Sequence, residues 1–424
     1  MTFSDRVIFK NSYEENNFVG LKYKKDKINI YLPVGYDKSE FITEQELSST
    51  QKVDLLLLLK TISLVKNSNN EMDYLGGNIG ENIEVPFNSF IWMINDYFNN
   101  GLYYEMEKKY SQKGHGKINW KRTLNSEHYF SDDNVIYINP YYESSIQKNN
   151  LITELNNYCL HKSVYYIGFL FGNIILPECH LKSFNVNNNI KYYLDLINKE
   201  LVRTFNDRKK LLLIHIKKIL KMSSDDSFEK QLTYGTRRYE YAWEKMVNNT
   251  IGSKIDISKY FPNAYWNILG KKFEDCSKLR PDSLYIDRKN NKIYIMDAKY
   301  YKYGITGNIS DLPHTDSIQK QITYGDHISN NYNLYGFEKE NIFNTFILPF
   351  NKNQQPFVSH DSICYIGFAN SAWRDKKEVY NYERISLLLI DMKYMIDCFY
   401  QKEKIDLQNL VKLIEKASKE HIQV

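Results

Sequence analysis

The stretch "KLRPDSLYIDRKNNKIYIMDAKYY", residues 278 to 301, places two aspartates and a lysine on either side of a short polar turn. It predicts two strands that are joined at residues 289 to 291, whose types suit a tight turn. Side chains alternate faces along a strand, so Asp297 and Lys299 share one face. A two-residue turn at residues 289 and 290 places Asp282 opposite Asp297, and one at residues 290 and 291 places it opposite Lys299. In both cases Asp282 lies on that same face.

Two carboxylates and one ammonium group on one face have a definite chemistry. The carboxylates repel each other, and a hard divalent cation such as Mg²⁺ relieves the repulsion because it takes oxygen ligands and keeps several waters. A neighbouring lysine can then position or deprotonate a metal-bound water, while the metal neutralises charge on a phosphate. The set predicts phosphodiester hydrolysis. The alternative is an ordinary cross-strand salt bridge on a solvated face.

Upstream, "YGTRRYEYAWEKMVNN" (residues 234 to 249) predicts a helix with one apolar stripe. The stripe consists of Tyr239, Ala242, Trp243 and Met246. Glu240 and Glu244 lie one turn apart on its flank, where a carboxylate can reach the edge of a packed site. The alternative is that both are surface glutamates.

Downstream, "SIQKQITYGDHI" (residues 317 to 328) predicts a second helix. It brings Lys320, Gln321 and Tyr324 together, and Gln321 and Tyr324 can face the same way because they are three residues apart. These residues can equally be surface polar positions.

The ordered set of a helical glutamate, the Pro-Asp step, the Asp-Ala-Lys step and the Lys-Gln helix resembles the PD-(D/E)xK nuclease superfamily. The sequence around this set resembles that of the LlaJI-type restriction endonucleases, which are similar to McrC-type nuclease subunits. The resemblance runs from about residue 28 to residue 401, and it is carried by "IYLPVGY", "GKINWKRT", "YGTRRYEYAWEKM", "LRPDSLYI", "IYIMDAKYY", "SIQKQITY", "YIGFANSAW" and "YERISLLLIDMKYMIDCFY".

This resemblance implies a metal site in the C-terminal half of the chain. Asp282, Asp297 and Glu244 would be its acids, with Glu240 as the alternative to Glu244 and the Ala298 carbonyl as a further ligand. The implied cofactor is Mg²⁺.

The same resemblance assigns roles to three residues beside the metal. Lys299 would orient or activate the attacking water. Gln321 would lie near the scissile phosphate or the nucleophile, with Lys320 beside the DNA backbone. The implied fold is a mixed α/β (α+β) core of the PD-(D/E)xK type with an N-terminal mixed α/β accessory domain.

Patterning predicts a division of the chain near residues 222 to 230, where a helical segment gives way to a polar stretch. Residues 1–225 would then bind DNA or a partner, and residues 226–424 would form the nuclease domain. Within the first region, "GKINWKRTL" offers a basic cluster for phosphate contacts, which position a protein without specifying sequence. The cluster, interpreted as a basic hairpin, consists of Lys117, Trp120, Lys121 and Arg122. A solvated edge or a docking site for a partner remains an alternative.

Composition limits the class of protein only broadly. The chain of 424 residues has a formal net charge of +5, which permits a polyanionic partner without requiring one. Its five cysteines form no CxxC pair, and we found no signal peptide or membrane span, so we expect a cytoplasmic protein with no membrane role.

The function expected is therefore a Mg²⁺-dependent DNA endonuclease of a restriction-modification system. The expected partners are double-stranded DNA, a cognate methyltransferase, a McrB-like AAA+ GTPase and a second copy of the chain, since cutting both strands usually needs two active sites. No P-loop is present, so a nucleotide-driven motor would be another chain. The alternatives are a non-cleaving nucleic-acid-binding or assembly subunit and an RNA-directed nuclease.

Overall fold

A computed structural model describes residues 6–24, 26–41, 46–67, 85–113, 115–131, 134–223, 231–274, 279–371 and 380–420. The chain divides into two compact units. The composite unit joins residues 1–81 to residues 231–424, and the inserted unit consists of residues 82–230. The fold is mixed α/β, and in the described residues no helix is both long and apolar enough to cross a membrane.

The strands, numbered in chain order, are β1 (Val7–Asn11), β2 (Val19–Lys24), β3 (Lys27–Leu32), β4 (Glu105–Ser111), β5 (Lys117–Ile118), β6 (His128–Ser131), β7 (Asn134–Tyr137), β8 (Tyr142–Lys148), β9 (Gln231–Thr236), β10 (Tyr265–Ile268), β11 (Lys271–Glu274), β12 (Ser283–Asp287), β13 (Lys292–Ala298), β14 (Ile342–Phe350), β15 (Ile363–Ala369) and β16 (Ile385–Asp391).

The helices are α1 (Ser49–Thr61), α2 (Phe87–Asn100), α3 (Trp120–Thr123), α4 (Leu151–Ile167), α5 (Ser183–Asn188), α6 (Ile190–Arg203), α7 (Asp207–Ser223), α8 (Glu240–Thr250), α9 (Tyr303–Thr306), α10 (Thr315–Asn330), α11 (Tyr332–Tyr335), α12 (Met392–Gln401), α13 (Leu407–Ile414) and α14 (Lys416–Lys419).

A five-stranded sheet of order β12-β13-β14-β16-β15 forms the centre of the composite unit. Its three inner strands run parallel, and β12 and β15 pair antiparallel at the two edges. All nine residues of β14 are buried, as expected for an inner strand that is covered on both faces. Ile293 and Ile295 pack toward Tyr324 of α10, whereas Tyr294 donates its hydroxyl hydrogen bond to Glu415. Helices therefore cover both faces.

A four-stranded sheet of order β1-β3-β2-β9 completes the composite unit. Strand β2 pairs with β9 over six residues, from Val19 opposite Thr236 to Lys24 opposite Gln231. The start of the chain therefore folds with its C-terminal half, and the division expected at residue 225 is wrong for the first 81 residues. The proposed boundary itself falls close to the observed one at residue 230, although residues 224–230 of the expected linker lie outside the described residues.

In the inserted unit, helices α2, α4 and α7 pack on one another beside a sheet of order β4-β8-β5 and a separate β6-β7 hairpin. Arg208 of α7 holds Asp96 of α2 with two hydrogen bonds of 3.0 Å. The basic cluster is not a hairpin of its own. Its first residue lies in β5, which pairs with β8, and Trp120 begins the single turn α3.

Several elements differ from the sequence-based expectation. The helix expected from residue 234 begins at Glu240, because residues 231 to 236 form β9 instead. The hairpin β10-β11 was not anticipated. The helix expected at residues 317 to 328 is confirmed and runs from Thr315 to Asn330.

Candidate functional site

The hairpin β12-β13 sets the geometry of the candidate site. Its pairing runs from Asp287 opposite Lys292 to Ser283 opposite Met296, and the same register continued by one residue places Asp282 across from Asp297. Four residues connect the strands rather than two, but an even number keeps the two aspartates on one face. The connection is stabilised by Asp287, whose carboxylate accepts hydrogen bonds from residues 289 and 290.

The two aspartates form a carboxyl pair at the end of the hairpin. Asp297 is buried and Asp282 is half-buried, and a hydrogen bond joins their carboxyl groups. Asp282 also accepts a hydrogen bond of 2.7 Å from the backbone N–H of Ala298. Burial, followed by the charges of Asp297 and Glu244, raises the pKa of Asp282 well above its ordinary value. Asp282 therefore favours its protonated form near neutral pH.

Lys299 lies beside this pair, with its Nζ atom 2.6 Å from Oδ2 of Asp297. Burial would lower the pKa of the lysine, but Asp297 and its neighbours raise it overall, so Lys299 is charged. Its backbone N–H donates to the carbonyl oxygen of Ile347 at 2.9 Å, and the indole N–H of Trp243 donates to the same oxygen at 3.3 Å. The sheet and helix α8 thus meet at the residue that carries the ammonium group.

Helix α8 brings Glu244 to the site because its apolar stripe packs against the core. Tyr239, Trp243 and Met246 are fully buried, whereas Glu240 and Glu244 are half-buried. Burial first, and then Asp297 and Glu240, raise the pKa of Glu244 to about 7, while Lys299 and Lys320 oppose the shift. Glu244 is thus close enough to the carboxyl pair to share its electrostatics.

The chemistry of this donor set fits a hard cation. In the part of the chain that the structure describes, no three His, Cys, Asp or Glu side chains gather as a closed metal cage. Asp282 nevertheless favours a proton that a divalent ion can replace, and Mg²⁺ is commonly held by one or two carboxylates with waters completing its shell. Asp282 and Asp297 are therefore suited to it, with Glu244 beyond them.

Helix α10 presents two of its three expected residues toward the acids. The pKa of the buried Tyr324 is raised by burial, Asp297 and Asp282, and its hydroxyl group donates to the carbonyl oxygen of Arg280 at 2.7 Å. Lys320 is half-buried, and its positive charge lowers the pKa of Glu244.

Gln321 makes different contacts from those implied by the resemblance. Its side chain is buried, and its amide group donates to the carbonyl oxygen of Ile295 at 2.9 Å and to Oδ1 of Asn344 at 3.3 Å. Asn344 returns a hydrogen bond of 2.9 Å to the Gln321 backbone. Gln321 thus joins α10 to β13 and β14.

A cleft of about 500 Å³ opens beside Lys299 and Glu244. Arg237, Arg238 and Lys302 line it and give it positive charge. None of these three residues was assigned a role from the sequence. The signal was available in the "TRRYE" step just before α8, since adjacent arginines ahead of a helix that carries an acid suit phosphate binding.

The start of the chain supports the same cleft. Val34 and Asn17 belong to its lining, and the backbone N–H of Val34 donates to the Tyr300 hydroxyl oxygen at 2.8 Å. Gly35, at φ +89°, leaves no room for a Cβ because Met392 and the Phe350 carbonyl lie against it. The "LPVGY" turn therefore packs against the end of β14 and the start of α12, and it contacts Tyr300, the residue that follows Lys299.

The basic cluster of the inserted unit is exposed to solvent. Lys117, Lys121 and Arg122 are exposed, and Trp120 is 58% exposed. The guanidinium of Arg122 stacks 4.0 Å from the ring of Tyr110. These side chains are accessible to DNA or to a partner, and the expected contacts stay a prediction.

Comparison with known proteins identifies the family of this chain. A model of the LlaJI restriction endonuclease family matches residues 18–372. A relative in Bacillus subtilis (strain 168), the type II restriction enzyme BsuMI component YdjA, is 26% identical over 263 residues, which cover 58% of this chain and 56% of the relative. The chain thus spans little more than half the length of that relative. The family match covers most of the sequence and includes the carboxyl pair, Lys299, Glu244 and Gln321, so the chain belongs to the LlaJI restriction endonuclease family.

Proposed function

We propose that this chain is a Mg²⁺-dependent DNA endonuclease of a restriction system, built on a PD-(D/E)xK core. The observation that carries the proposal is the carboxyl pair Asp282 and Asp297 with the Lys299 ammonium 2.6 Å from Asp297. Membership of a restriction endonuclease family supports the same reading. A surface salt bridge, the alternative weighed from the sequence, does not account for a buried Asp297 beside a second carboxyl group.

Each residue of the site has a distinct task in this proposal. Asp282, Asp297 and the Ala298 carbonyl would hold Mg²⁺, which when bound supplies charge neutralisation at the phosphate and lowers the pKa of a water. Lys299 would orient the attacking water through its ammonium group. Glu244, with a pKa of about 7, accepts or returns a proton at neutral pH.

The basic lining of the cleft binds the DNA backbone. Arg237, Arg238 and Lys302 face the same space as Lys299 and offer charge-assisted hydrogen bonds to phosphate oxygens. Such contacts hold the duplex in register with the carboxyl pair but do not read its sequence.

Partners in a restriction system follow from the same proposal. The B. subtilis relative is described as a component of a type II restriction enzyme, which supports an assembly of more than one chain here. We propose a methyltransferase that protects host DNA, a second copy of this chain for the other strand, and a McrB-like GTPase as a further subunit.

The test is cleavage of methylated and unmethylated plasmid DNA with Mg²⁺ or with EDTA, by the full chain alone and with the other chains of its system. We expect Mg²⁺-dependent cutting that Asp297→Asn abolishes. Asp361→Asn is the matched control, because that aspartate is exposed in a loop outside the site. An RNA substrate of the same sequence should remain intact.

Two outcomes would contradict the proposal. Equal cutting by wild type and Asp297→Asn would remove the carboxyl pair from the chemistry. Absence of Mg²⁺-dependent cutting by folded wild type in every combination would leave a non-cleaving nucleic-acid-binding or assembly subunit.

A further inference from the structure

The hairpin β10-β11 exposes apolar side chains in a way that folding of this chain does not explain. Its two-residue turn is Leu269-Gly270, and both residues have positive φ, at 51° and 77°. This turn type suits Asn-Gly, Asp-Gly or Gly-Gly, and a leucine with positive φ is uncommon. Leu269 is also 98% exposed. The tip of the hairpin therefore carries a large apolar side chain that is fully exposed to water, on a backbone with strained φ.

Both faces of the hairpin are open as well. Residues alternate between the faces, and the register pairs Trp266 with Phe273 and Asn267 with Lys272. Trp266 is 64% exposed and Phe273 is 50% exposed, and Lys272 lies 4.5 Å from the Tyr265 ring. A two-stranded hairpin with no covered face is marginally stable in water. Such a hairpin gains stability when another surface covers it.

The hairpin originates directly beside the carboxyl pair. The backbone N–H of Leu279 donates to the carbonyl oxygen of Pro262 at 3.2 Å and closes the base of the hairpin. Asp282 follows only three residues later, and the Tyr324 hydroxyl bond to the carbonyl oxygen of Arg280 fixes the segment between them. Leu269 is the seventh residue after Pro262, so at about 3.3 Å per residue of extended chain the tip can extend up to roughly 20 Å from that base.

The charge near the tip of the hairpin favours DNA as its occupant. Lys271 and Lys272 directly follow the tip, and the single acid of the two strands, Glu274, lies at the base end of β11. A duplex whose scissile phosphate lies at the carboxyl pair passes within reach of a projection of this length, since each base pair occupies about 3.4 Å along the helix. Apolar side chains on such projections enter the minor groove and unstack base pairs.

We infer that the hairpin β10-β11 is a DNA wedge: Leu269 inserts between base pairs of the duplex bound at the carboxyl pair, and Lys271 and Lys272 contact the flanking phosphates. The inference rests on the proposed function, since it requires DNA at that site. It makes the hairpin the element that deforms the DNA and holds it in register for cleavage.

The test uses Leu269→Asn in the full chain. Asparagine tolerates positive φ better than leucine and forms the favoured Asn-Gly turn, so the substitution removes the apolar wedge while keeping the hairpin. Leu334→Asn is the matched control, because Leu334 is 72% exposed in a short helix of the same unit. Thermal denaturation of both variants checks the fold.

The main readout is DNA untwisting. A closed-circular plasmid is relaxed by a metal-independent topoisomerase in Ca²⁺ with each protein, and the linking number is then measured on deproteinised DNA. Wild type and Leu334→Asn should shift the linking number. Leu269→Asn should lose most of this shift and bind the plasmid about tenfold more weakly, as expected for one lost buried leucine.

The outcomes separate this inference from the proposed function. Wild type that cuts with Mg²⁺ but leaves the linking number unchanged would overturn the wedge and leave the nuclease standing, as would equal shifts from wild type and Leu269→Asn. Wild type that neither binds nor cuts plasmid DNA would overturn both.

Discussion

The surroundings of Asp282 disfavour its ionised form. Burial and two neighbouring carboxyl groups all favour its protonated form, and the Ala298 N–H is the main opposing contact. A cation that binds the pair must therefore displace a proton, so its affinity depends on pH. The Mg²⁺ proposed for this site would supply the positive charge that stabilises the ionised form of Asp282.

Glu244→Gln tests this arrangement through stability. The pKa of Glu244 in the fold, about 7, lies above its ordinary value, so the folded state favours the proton and the resulting stability is lost as pH rises through 7. We expect the metal-free wild type to lose stability from about pH 5 to about pH 7, between the ordinary pKa of Glu244 and its value in the fold. Glu244→Gln should flatten this slope and gain on the order of 1 kcal/mol at pH 8. Chemical denaturation from about pH 5 to about pH 8 in EDTA measures the effect.

Glu240→Gln is the control on the same helix, because Glu240 is half-buried and pairs with Arg238 at 3.3 Å. It keeps the Glu244 carboxyl group, so the loss of stability with rising pH should remain. An unchanged pH slope in Glu244→Gln would mean that Glu244 does not share the electrostatics of the carboxyl pair.

Lys299→Met tests the role of the ammonium group. Removal of a group that positions the nucleophile should lower the cleavage rate by about 10²-fold or more, whereas DNA affinity should change little because other cations line the cleft. Single-turnover cleavage and filter binding measure the two quantities. Lys299→Arg keeps a positive charge beside Asp297, so it separates loss of chemistry from instability of an unpaired buried carboxylate. Full cleavage by Lys299→Met would exclude this role.

At the scale of elements, α10 depends on Gln321 for its attachment to the sheet. Gln321→Met keeps the volume but removes the hydrogen bonds to Ile295 and Asn344, leaving buried acceptors without a donor. We expect a loss of about 1–3 kcal/mol in unfolding free energy, with cleavage falling in parallel. Gln319→Met, at an exposed position of the same helix, should be neutral.

The Gln321→Met and Gln319→Met variants also distinguish two roles for Gln321. Loss of cleavage at unchanged stability would favour the position near the phosphate that the family resemblance implies. A loss of stability, with cleavage reduced in proportion to the fraction of unfolded protein, would favour a role for Gln321 in attaching α10 to the sheet. Denaturant unfolding and single-turnover cleavage on the same preparations decide between them.

Elements built from local signals could be predicted from the sequence. The shared face of Asp282 and Asp297 followed from alternation, although the sequence left two registers open and four residues rather than two connect the strands. The buried stripe of Trp243 followed from helical periodicity. Strand β9 was not predicted, because its pairing with β2 joins segments more than 200 residues apart. The β10-β11 hairpin was missed because its exposed apolar residues give no pattern of burial, and its Leu-Gly turn lacks the usual turn residues.

At the scale of the whole molecule, the composite unit is interrupted by the inserted unit. Tyr234 of β9 donates its hydroxyl hydrogen bond to the carbonyl oxygen of Leu59, and the Thr61 and Tyr239 hydroxyl groups are 2.7 Å apart. Buried polar groups at these contacts lose their partners when either segment is absent. The candidate site thus depends on residues from both ends of the chain.

A fragment of residues 226–424 should therefore fail to fold by itself, although it contains the carboxyl pair, Lys299 and Glu244. It lacks the partner strand of β9 and the segment whose Val34 N–H binds Tyr300 beside the site. A chain in which residue 81 is joined directly to residue 231 restores both and should unfold cooperatively in circular dichroism. Cooperative unfolding of the 226–424 fragment alone would contradict the composite unit, since it would mean that β9 and the site strand need nothing from the first 81 residues.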